Sequence, residues 1–167
     1  MGWHHRGMSE ATVRPARTED LRGVAELRWG WETEVHGAPE LPLDEFTARF
    51  VDWGRGQRDT HHCYVAVMDG ALVGMAWLAV TPRVPQPRAF GRASGDVQCV
   101  YVRPESRDLG LGGQLIQAVL GLARELELER VSVHSSDRAV PAYARHGFAV
   151  SPVLLQADLR TNGNNGP

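Results

Sequence analysis

The chain has 167 residues, of which 43% are hydrophobic and 23% charged, and its formal net charge is -2. This length suits one domain that buries its own core, and the composition is that of an ordinary globular protein. The near-balance of charges argues against non-specific binding of nucleic acid, which requires a basic surface.

No linker or internal repeat divides the sequence, and strand and helix patterns alternate along it. We predict a flexible N-terminal extension over residues 1–10, a single domain over residues 11–160 and a disordered tail over residues 161–167. This alternation implies a mixed α/β fold. The predicted strands cover residues 12–16, 63–68, 72–80, 97–102, 130–134 and 153–159, and the predicted helices begin near residues 18, 43, 115 and 139.

Three features exclude further classes of protein. All 18 basic residues are arginine, and the lack of lysine excludes a Walker-type phosphate loop, a pyridoxal Schiff base and a kinase-like phosphate clamp. The longest nearly apolar stretch, residues 71–80, is shorter than the about 20 residues of a membrane span. Two cysteines are too few for a disulfide framework, and residues 1–11 lack an apolar signal core, so we expect a cytoplasmic location.

A glycine-rich turn, residues 107–113 (Arg-Asp-Leu-Gly-Leu-Gly-Gly), follows the predicted strand 97–102 and opens the next helix. Such a turn directs backbone N–H groups outward at the positive end of a helix dipole, which favours binding of an anion, most often phosphate. The alternative is a turn that only connects two elements. A dinucleotide-binding G-x-G-x-x-G pattern fails, because Leu115 stands where it requires glycine.

The turn resembles the R/Q-x-x-G-x-G/A loop of the GNAT superfamily, the acyl-CoA-dependent N-acetyltransferases. Residues 100–105 (Val-Tyr-Val-Arg-Pro-Glu) are similar to the family's L-x-V-x-P-E strand end. Residues 139–148 (Ala-Val-Pro-Ala-Tyr-Ala-Arg-His-Gly-Phe) are similar to its A-x-x-x-Y-x-x-x-G-F segment. The resemblance covers roughly residues 12–159, almost the whole chain.

The resemblance implies a mixed, mostly antiparallel central sheet flanked by helices on both faces, and acetyl-CoA as cosubstrate without a metal. The turn would hold the coenzyme A pyrophosphate, and the preceding strand would pair with the pantetheine arm as it would with an added strand. Arg103 is a further candidate for the phosphates. The implied cofactor-binding residues are Val100, Tyr101, Val102, Arg107, Asp108, Leu109, Gly110, Leu111, Gly112, Gly113 and Ser136.

By the same resemblance, Tyr143 is the general acid that protonates the leaving thiolate. A phenol with a pKa of about 10 suits this role, and packing in a short helix is the alternative. Asp96 is the candidate base, acting through a water, although its ordinary pKa of about 3.9 makes it weak unless desolvated. Asp96 could instead be a turn former, and His134 is a second candidate base. The run of residues 61–63 (His-His-Cys) lacks a second ligand pair, so we predict no metal there.

Residues 29–48 contain five acidic side chains and no arginine. By resemblance this segment lines the acceptor side, where Trp29 and Glu32 are candidate residues for attracting a cationic amine. A solvated acidic face explains the same charges equally well. Arg83, Arg88 and Arg92 in the following loop are candidates for binding a carboxylate of the acceptor, as in an amino acid or small peptide.

We therefore predict an acyltransferase that moves an acetyl group from acetyl-CoA to a primary amine of a small molecule or peptide by direct attack. A rival interpretation is a non-catalytic acetyl-CoA-binding sensor or interaction module, which needs the glycine turn but neither Tyr143 nor a base. A third is a nucleotide-binding α/β protein of another family. We expect neither nucleic acid nor a membrane as partner, and the sequence leaves a homodimer open.

Overall fold

The computed structural model describes residues 10–160. Apart from Glu10, the predicted extension and the predicted tail lie outside the described residues. Short 3-10 turns at Thr18–Asp20 and Pro104–Ser106 precede α1 and the glycine-rich turn. The elements are β1 (Ala11–Pro15), α1 (Leu21–His36), α2 (Leu43–Gly56), β2 (His61–Met68), β3 (Ala71–Pro82), β4 (Ala93–Val102), α3 (Leu111–Glu125), β5 (Val131–Val133) and α4 (Val140–Ala144).

One sheet of five strands runs through the described chain in the order β1-β2-β3-β4-β5. Neighbouring strands are antiparallel except β4 and β5, which are parallel. Asp69 and Gly70 form the turn between β2 and β3, both with positive φ (51° and 76°), as a tight hairpin requires. The predicted mixed and mostly antiparallel sheet is confirmed.

The sheet separates two apolar layers, because successive side chains of a strand point to opposite faces. On one face, Leu78 and Val97 pack against the apolar stripe of α3, which includes Leu115 and Val119. On the other face, Met75, Trp77 and Tyr101 pack against α1 and α2, with Leu27 at the centre. Helices therefore cover both faces of the sheet, as the resemblance implied.

The predicted strand over residues 153–159 is wrong. The described chain contains no strand after β5, and every residue from 149 to 160 is exposed. The apolar residues of this segment suit a strand, but a strand also needs an edge with which to pair. Residues 151–154 form a turn instead, closed by a hydrogen bond from the Leu154 amide to the Ser151 carbonyl at 3.4 Å.

Candidate active site

Strands β4 and β5 run side by side for three residues only, and we call the space between them beyond that point the cleft. The two strands pair only where residues 95–97 lie beside Val131–Val133. Strand β4 continues to Val102, whereas β5 ends at Val133 and the chain leaves the sheet. Within residues 10–160, no strand therefore covers the edge of β4 formed by residues 98–102.

A β-bulge interrupts β4 at the point where this pairing stops. Met75 of β3 pairs with Tyr101 and Trp77 pairs with Gln98, so a single residue of β3 faces both Cys99 and Val100. Cys99 has a φ of 52°, in the left-handed region. A bulge bends its strand and leaves the extra residue out of the ladder of hydrogen bonds. The bulge therefore bends β4 away from β5. We call the end of the cleft at the bulge, next to the paired residues 95–97, its inner end.

The backbone groups of Val102 are directed into the cleft. The Arg103 amide donates to the Val73 carbonyl of β3 at 2.8 Å, and Tyr101 also pairs with β3. Val102, which lies between them, therefore presents its N–H and C=O groups to the opposite side. This edge can receive an extended ligand in the way that a sheet receives an added strand.

The glycine-rich turn lies at the outer end of the cleft, directly after β4. Asp108 and Gly110 have φ values of 63° and 77°. Helix α3 then begins at Leu111 with no side-chain cap and no acidic residue in its first turn, so the first N–H groups have no intrahelical acceptor. A Cβ placed on Gly112 would meet no atom within 4 Å, so the space beside the turn is open. This is the geometry of an anion site at a helix N-terminus.

Arg107, predicted to bind phosphate, is engaged by α1. Its Nη1 lies 2.7 Å from Oε1 of Glu34, its Nη2 donates to Oε2 at 2.9 Å, and its Nε donates to the Val102 carbonyl at 3.0 Å. The Tyr101 hydroxyl donates to the same carboxylate at 3.1 Å. The hydrogen bond from Arg107, supported by that from Tyr101, lowers the pKa of Glu34 and keeps it ionised. A phosphate at this turn would therefore compete with Glu34 for the guanidinium.

The remaining cofactor candidates have different surroundings. Arg103 has a buried Nε without a hydrogen-bond partner in the described chain, and an acceptor on a bound anion would remove the cost of leaving it unpaired. Gly113 has a structural explanation, because a Cβ there would lie 3.2 Å from the His146 ring. Leu109 and Ser136 are both exposed, in the turn and in the loop before α4.

Tyr143 is buried in α4 on the α3 side of the sheet. Its ring meets the edge of Phe148 at 5.4 Å between centroids. Burial raises the pKa of Tyr143, and the nearby Cys99 adds to the increase, so the phenol stays protonated at neutral pH. The effect of Cys99 indicates that Tyr143 lies in the neighbourhood of the bulge, on the α3 side of the sheet.

Asp96 lies in the paired part of β4, beside Ser132 of β5. Its Oδ2 accepts a hydrogen bond from Gln98 Nε2 at 2.8 Å. Because Val97 faces α3, Asp96 and Gln98 face the α1 and α2 side. Asp96 and Tyr143 thus approach the cleft from opposite faces of the sheet. His134 is exposed directly after β5.

The two acceptor candidates on α1 have structural partners. Trp29 packs on Phe46 of α2, with ring centroids 6.1 Å apart. Glu32 forms ion pairs within the helix, at 3.4 Å to Arg28 and 3.0 Å to His36. These contacts explain both side chains without a ligand.

Arg28 is a residue that the sequence did not single out. Its guanidinium lies 4.1 Å from the centre of the Trp31 ring. Burial raises the pKa of the Cys99 thiol, and the charge of Arg28 partly opposes that increase. Arg28 therefore carries its charge in the neighbourhood of the bulge, where Glu32 is its ion-pair partner.

Arg92 and His61 have partners within the protein. Arg92 forms an ion pair with Glu129, before the start of β5, and donates to the Val84 carbonyl. His61 Nδ1 is 2.8 Å from the Thr60 hydroxyl. A search of the described residues finds no group of three or more histidine, cysteine, aspartate or glutamate side chains suited to a metal ion. None of the helices in that part of the chain is long and apolar enough to span a membrane.

Known proteins resemble this chain in sequence and in fold. A model of the acetyltransferase (GNAT) family matches residues 21–148. A glucosamine 6-phosphate N-acetyltransferase of Trypanosoma brucei brucei is 32% identical over 90 residues, 54% of this chain and 59% of that protein. A mycothiol acetyltransferase of Cellulomonas flavigena is 33% identical over 93 residues, 53% of this chain and 27% of that protein. The matched region thus spans less than two thirds of either relative.

A solved structure extends the likeness to the fold. A predicted acetyltransferase of Clostridium acetobutylicum, crystallised with acetyl-CoA, superposes with a TM-score of 0.73. The superposition covers 90% of this chain and 97% of that one at 16% sequence identity. At this level of identity the likeness concerns the fold alone.

Proposed function

Because this chain belongs to the acetyltransferase (GNAT) family, we propose that it transfers an acetyl group from acetyl-CoA to the primary amine of a small molecule or peptide. The observation that carries the proposal is the bulge at Cys99 and Val100, where β4 parts from β5. In this proposal the uncapped N-terminus of α3 and the protonated phenol of Tyr143 belong to the same site as the bulge. The cleft would then hold a phosphate, an extended arm and a proton donor.

The cofactor would lie along β4. The N–H groups of the first turn of α3 would hold the pyrophosphate, and Arg103 offers a buried donor that lacks a partner. Arg107 would reach the phosphates by leaving Glu34. The backbone of Val100 and Val102 would pair with the pantetheine arm, which brings the thioester to the bulge. Ser136 and Leu109 are exposed enough to add contacts.

The reaction would proceed by direct attack. The nitrogen of a neutral amine forms a bond to the thioester carbonyl carbon, and the carbon–sulfur bond then breaks. Tyr143 gives its proton to the departing thiolate sulfur, and a proton of the amine passes through a water to Asp96. Tyr143 and Asp96 lie on opposite faces of the sheet, which supports this division of roles. The amine would approach the thioester from the side of Asp96, and the thiolate would leave on the side of Tyr143.

For the acceptor, we propose a molecule that carries an anionic group beside its amine. Arg28 supplies a cation near the bulge, and the acidic segment of α1 and α2 would attract the ammonium form before it loses its proton. Glucosamine 6-phosphate, named in one relative, has this combination, as do amino acids and small peptides. Trp29 and Glu32 would act here at most as part of the rim, because both already have partners.

An amine panel tests the proposal and separates it from a non-catalytic sensor. The full chain is incubated with acetyl-CoA and, separately, with glucosamine 6-phosphate, glucosamine, amino acids and dipeptides. Released CoA is titrated as free thiol, and the acetylated amine is identified by mass spectrometry. We expect transfer to at least one amine, and faster transfer to glucosamine 6-phosphate than to glucosamine. Binding of acetyl-CoA without transfer to any amine would instead favour the sensor.

A further inference from the structure

The carboxylate of Glu34 joins α1 to the first residue of the glycine-rich turn. Its two oxygens lie 2.7 and 2.9 Å from Nη1 and Nη2 of Arg107, and the Tyr101 hydroxyl donates to it at 3.1 Å. The side chains of Glu34 and Arg107 are 35% and 42% exposed, so water reaches the pair. At this exposure an ion pair is weak, and a phosphate group can replace the carboxylate as the partner of Arg107.

Glu34 differs in this respect from two other acidic side chains of α1 and α2. Glu32 pairs with Arg28, four positions before it. Glu45 pairs with Arg49, four positions after it. Neither of these arginines is one that the cofactor is proposed to take. Binding of the cofactor therefore changes the partner of Glu34 and leaves the other two ion pairs as they are.

Loss of Arg107 to the cofactor would leave the carboxylate of Glu34 in need of a cation. The hydroxyl of Tyr101 still donates to it, but bound phosphates nearby repel a second anion. The hydrogen bond from Arg107 has the largest part in lowering the pKa of Glu34, and the charge of Arg138, in the loop before α4, adds a smaller effect. Within residues 10–160 no ion pair joins Arg138 to Glu34. The place that Arg107 leaves is thus open to a cation from outside the protein.

Glu34 also lies on the side of the sheet from which the amine would approach. The side chains of Tyr101 and Cys99 both belong to the apolar layer beneath α1 and α2. They are two positions apart in β4, a distance of at most about 7 Å along a strand. A carboxylate held by the Tyr101 hydroxyl is therefore within reach of a small molecule whose amine reacts at the bulge.

We propose that Glu34 binds the ammonium group of the acceptor, and that Arg107 occupies this carboxylate until the phosphates of the cofactor take Arg107. The inference rests on the proposed function and makes Glu34 a specificity-determining residue for the acceptor. Both members of one ion pair exchange partners: Arg107 trades a carboxylate for phosphate, and Glu34 trades a guanidinium for an ammonium. The amine then gives up its proton and attacks at the bulge.

Glu34→Gln tests the exchange, because it removes the charge and keeps a group of the same size that accepts from Tyr101. Two effects of opposite direction are expected. The affinity for CoA rises about fivefold, the change that corresponds to losing an ion pair at a partly exposed site, because no charged competitor holds Arg107. The KM for the fastest amine of the panel rises by about the same factor at saturating acetyl-CoA, and the loss appears in KM more than in kcat. Calorimetric titration with CoA and steady-state kinetics measure the two quantities.

Glu129→Gln is the matched control. Glu129 forms a two-pronged ion pair with Arg92, which also joins residues far apart in the sequence. Both quantities should keep their wild-type values in this variant, and melting followed by circular dichroism checks that both variants fold.

The possible failures differ from one another. A CoA affinity of Glu34→Gln at or below that of wild type would show that Glu34 does not compete for Arg107 and would overturn the exchange. A higher CoA affinity with an unchanged KM for the amine would show that Arg138 or water takes the carboxylate, and would overturn the binding of the ammonium. A wild-type chain that binds no CoA or acetylates no amine fails the proposed function itself, and this inference falls with it.

Discussion

Replacement of Tyr143 by phenylalanine is expected to lower turnover by about 10²–10⁴-fold, the usual contribution of a general acid. The phenol is held protonated by burial, and its ring packs on Phe148 independently of the hydroxyl. Loss of the hydroxyl therefore removes a proton donor and leaves the packing in place. Because that donor acts in the transition state, the affinity for CoA and the melting temperature should change little. Steady-state kinetics with an amine from the panel, alongside a CoA titration, measure both quantities.

Tyr64→Phe is the matched control for this variant. Tyr64 is half-buried in β2, opposite Ala76 and two strands from β4, and burial raises its pKa as well. Its loss of a hydroxyl should leave turnover near the wild-type value. If Tyr143→Phe kept turnover within about threefold of wild type, a change of under ~1 kcal/mol in the barrier, Tyr143 would have no part in the chemistry. A large fall in CoA affinity would recast it as a binding residue.

Gly112→Val should abolish measurable CoA binding while the protein still folds. A side chain there meets no atom of the protein, and φ at this position is not in the left-handed region, so the backbone gains no strain. The new methyl groups would instead fill the space assigned to the pyrophosphate, beside the N–H groups of the first turn of α3. Calorimetric titration with CoA gives the affinity, and circular dichroism gives the fold.

Gly121→Val supplies the control within the same helix. A Cβ on Gly121 also meets no atom within 4 Å, so valine fits there too, in the interior of the helix and away from the glycine-rich turn. CoA affinity should be that of wild type in this variant. Unchanged affinity in a folded Gly112→Val protein would show that the turn connects β4 to α3 and does nothing more.

The sequence predicted features that depend on neighbours along the chain. Asp69 and Gly70 form the expected hairpin turn because both tolerate positive φ. The apolar repeat of α3 fixed its buried face, including Leu115 and Val119. The glycine-rich turn was placed correctly between a strand and a helix, since glycine and the helix start are both local signals.

Features that depend on distant partners were missed. The bulge at Cys99 depends on the register between β3 and β4, which the sequence of either strand alone does not indicate. The ion pair of Arg107 with Glu34 joins residues 73 positions apart, and no local pattern indicates it. The strand predicted for residues 153–159 failed for a related reason, because apolar alternation describes one strand and carries no information about the edge it would pair with.

The central claim, that the cleft beside β4 takes acetyl-CoA, is tested most directly by thermal unfolding of the full chain with acetyl-CoA, CoA, ATP and NAD in separate titrations. A ligand that binds only the folded state raises the melting temperature, and the rise grows with the logarithm of the ratio of its concentration to its Kd. The cleft predicts a rise with acetyl-CoA and with CoA that grows with concentration, and little change with ATP or NAD. Equal or larger rises with ATP or NAD, and none with CoA, would contradict it.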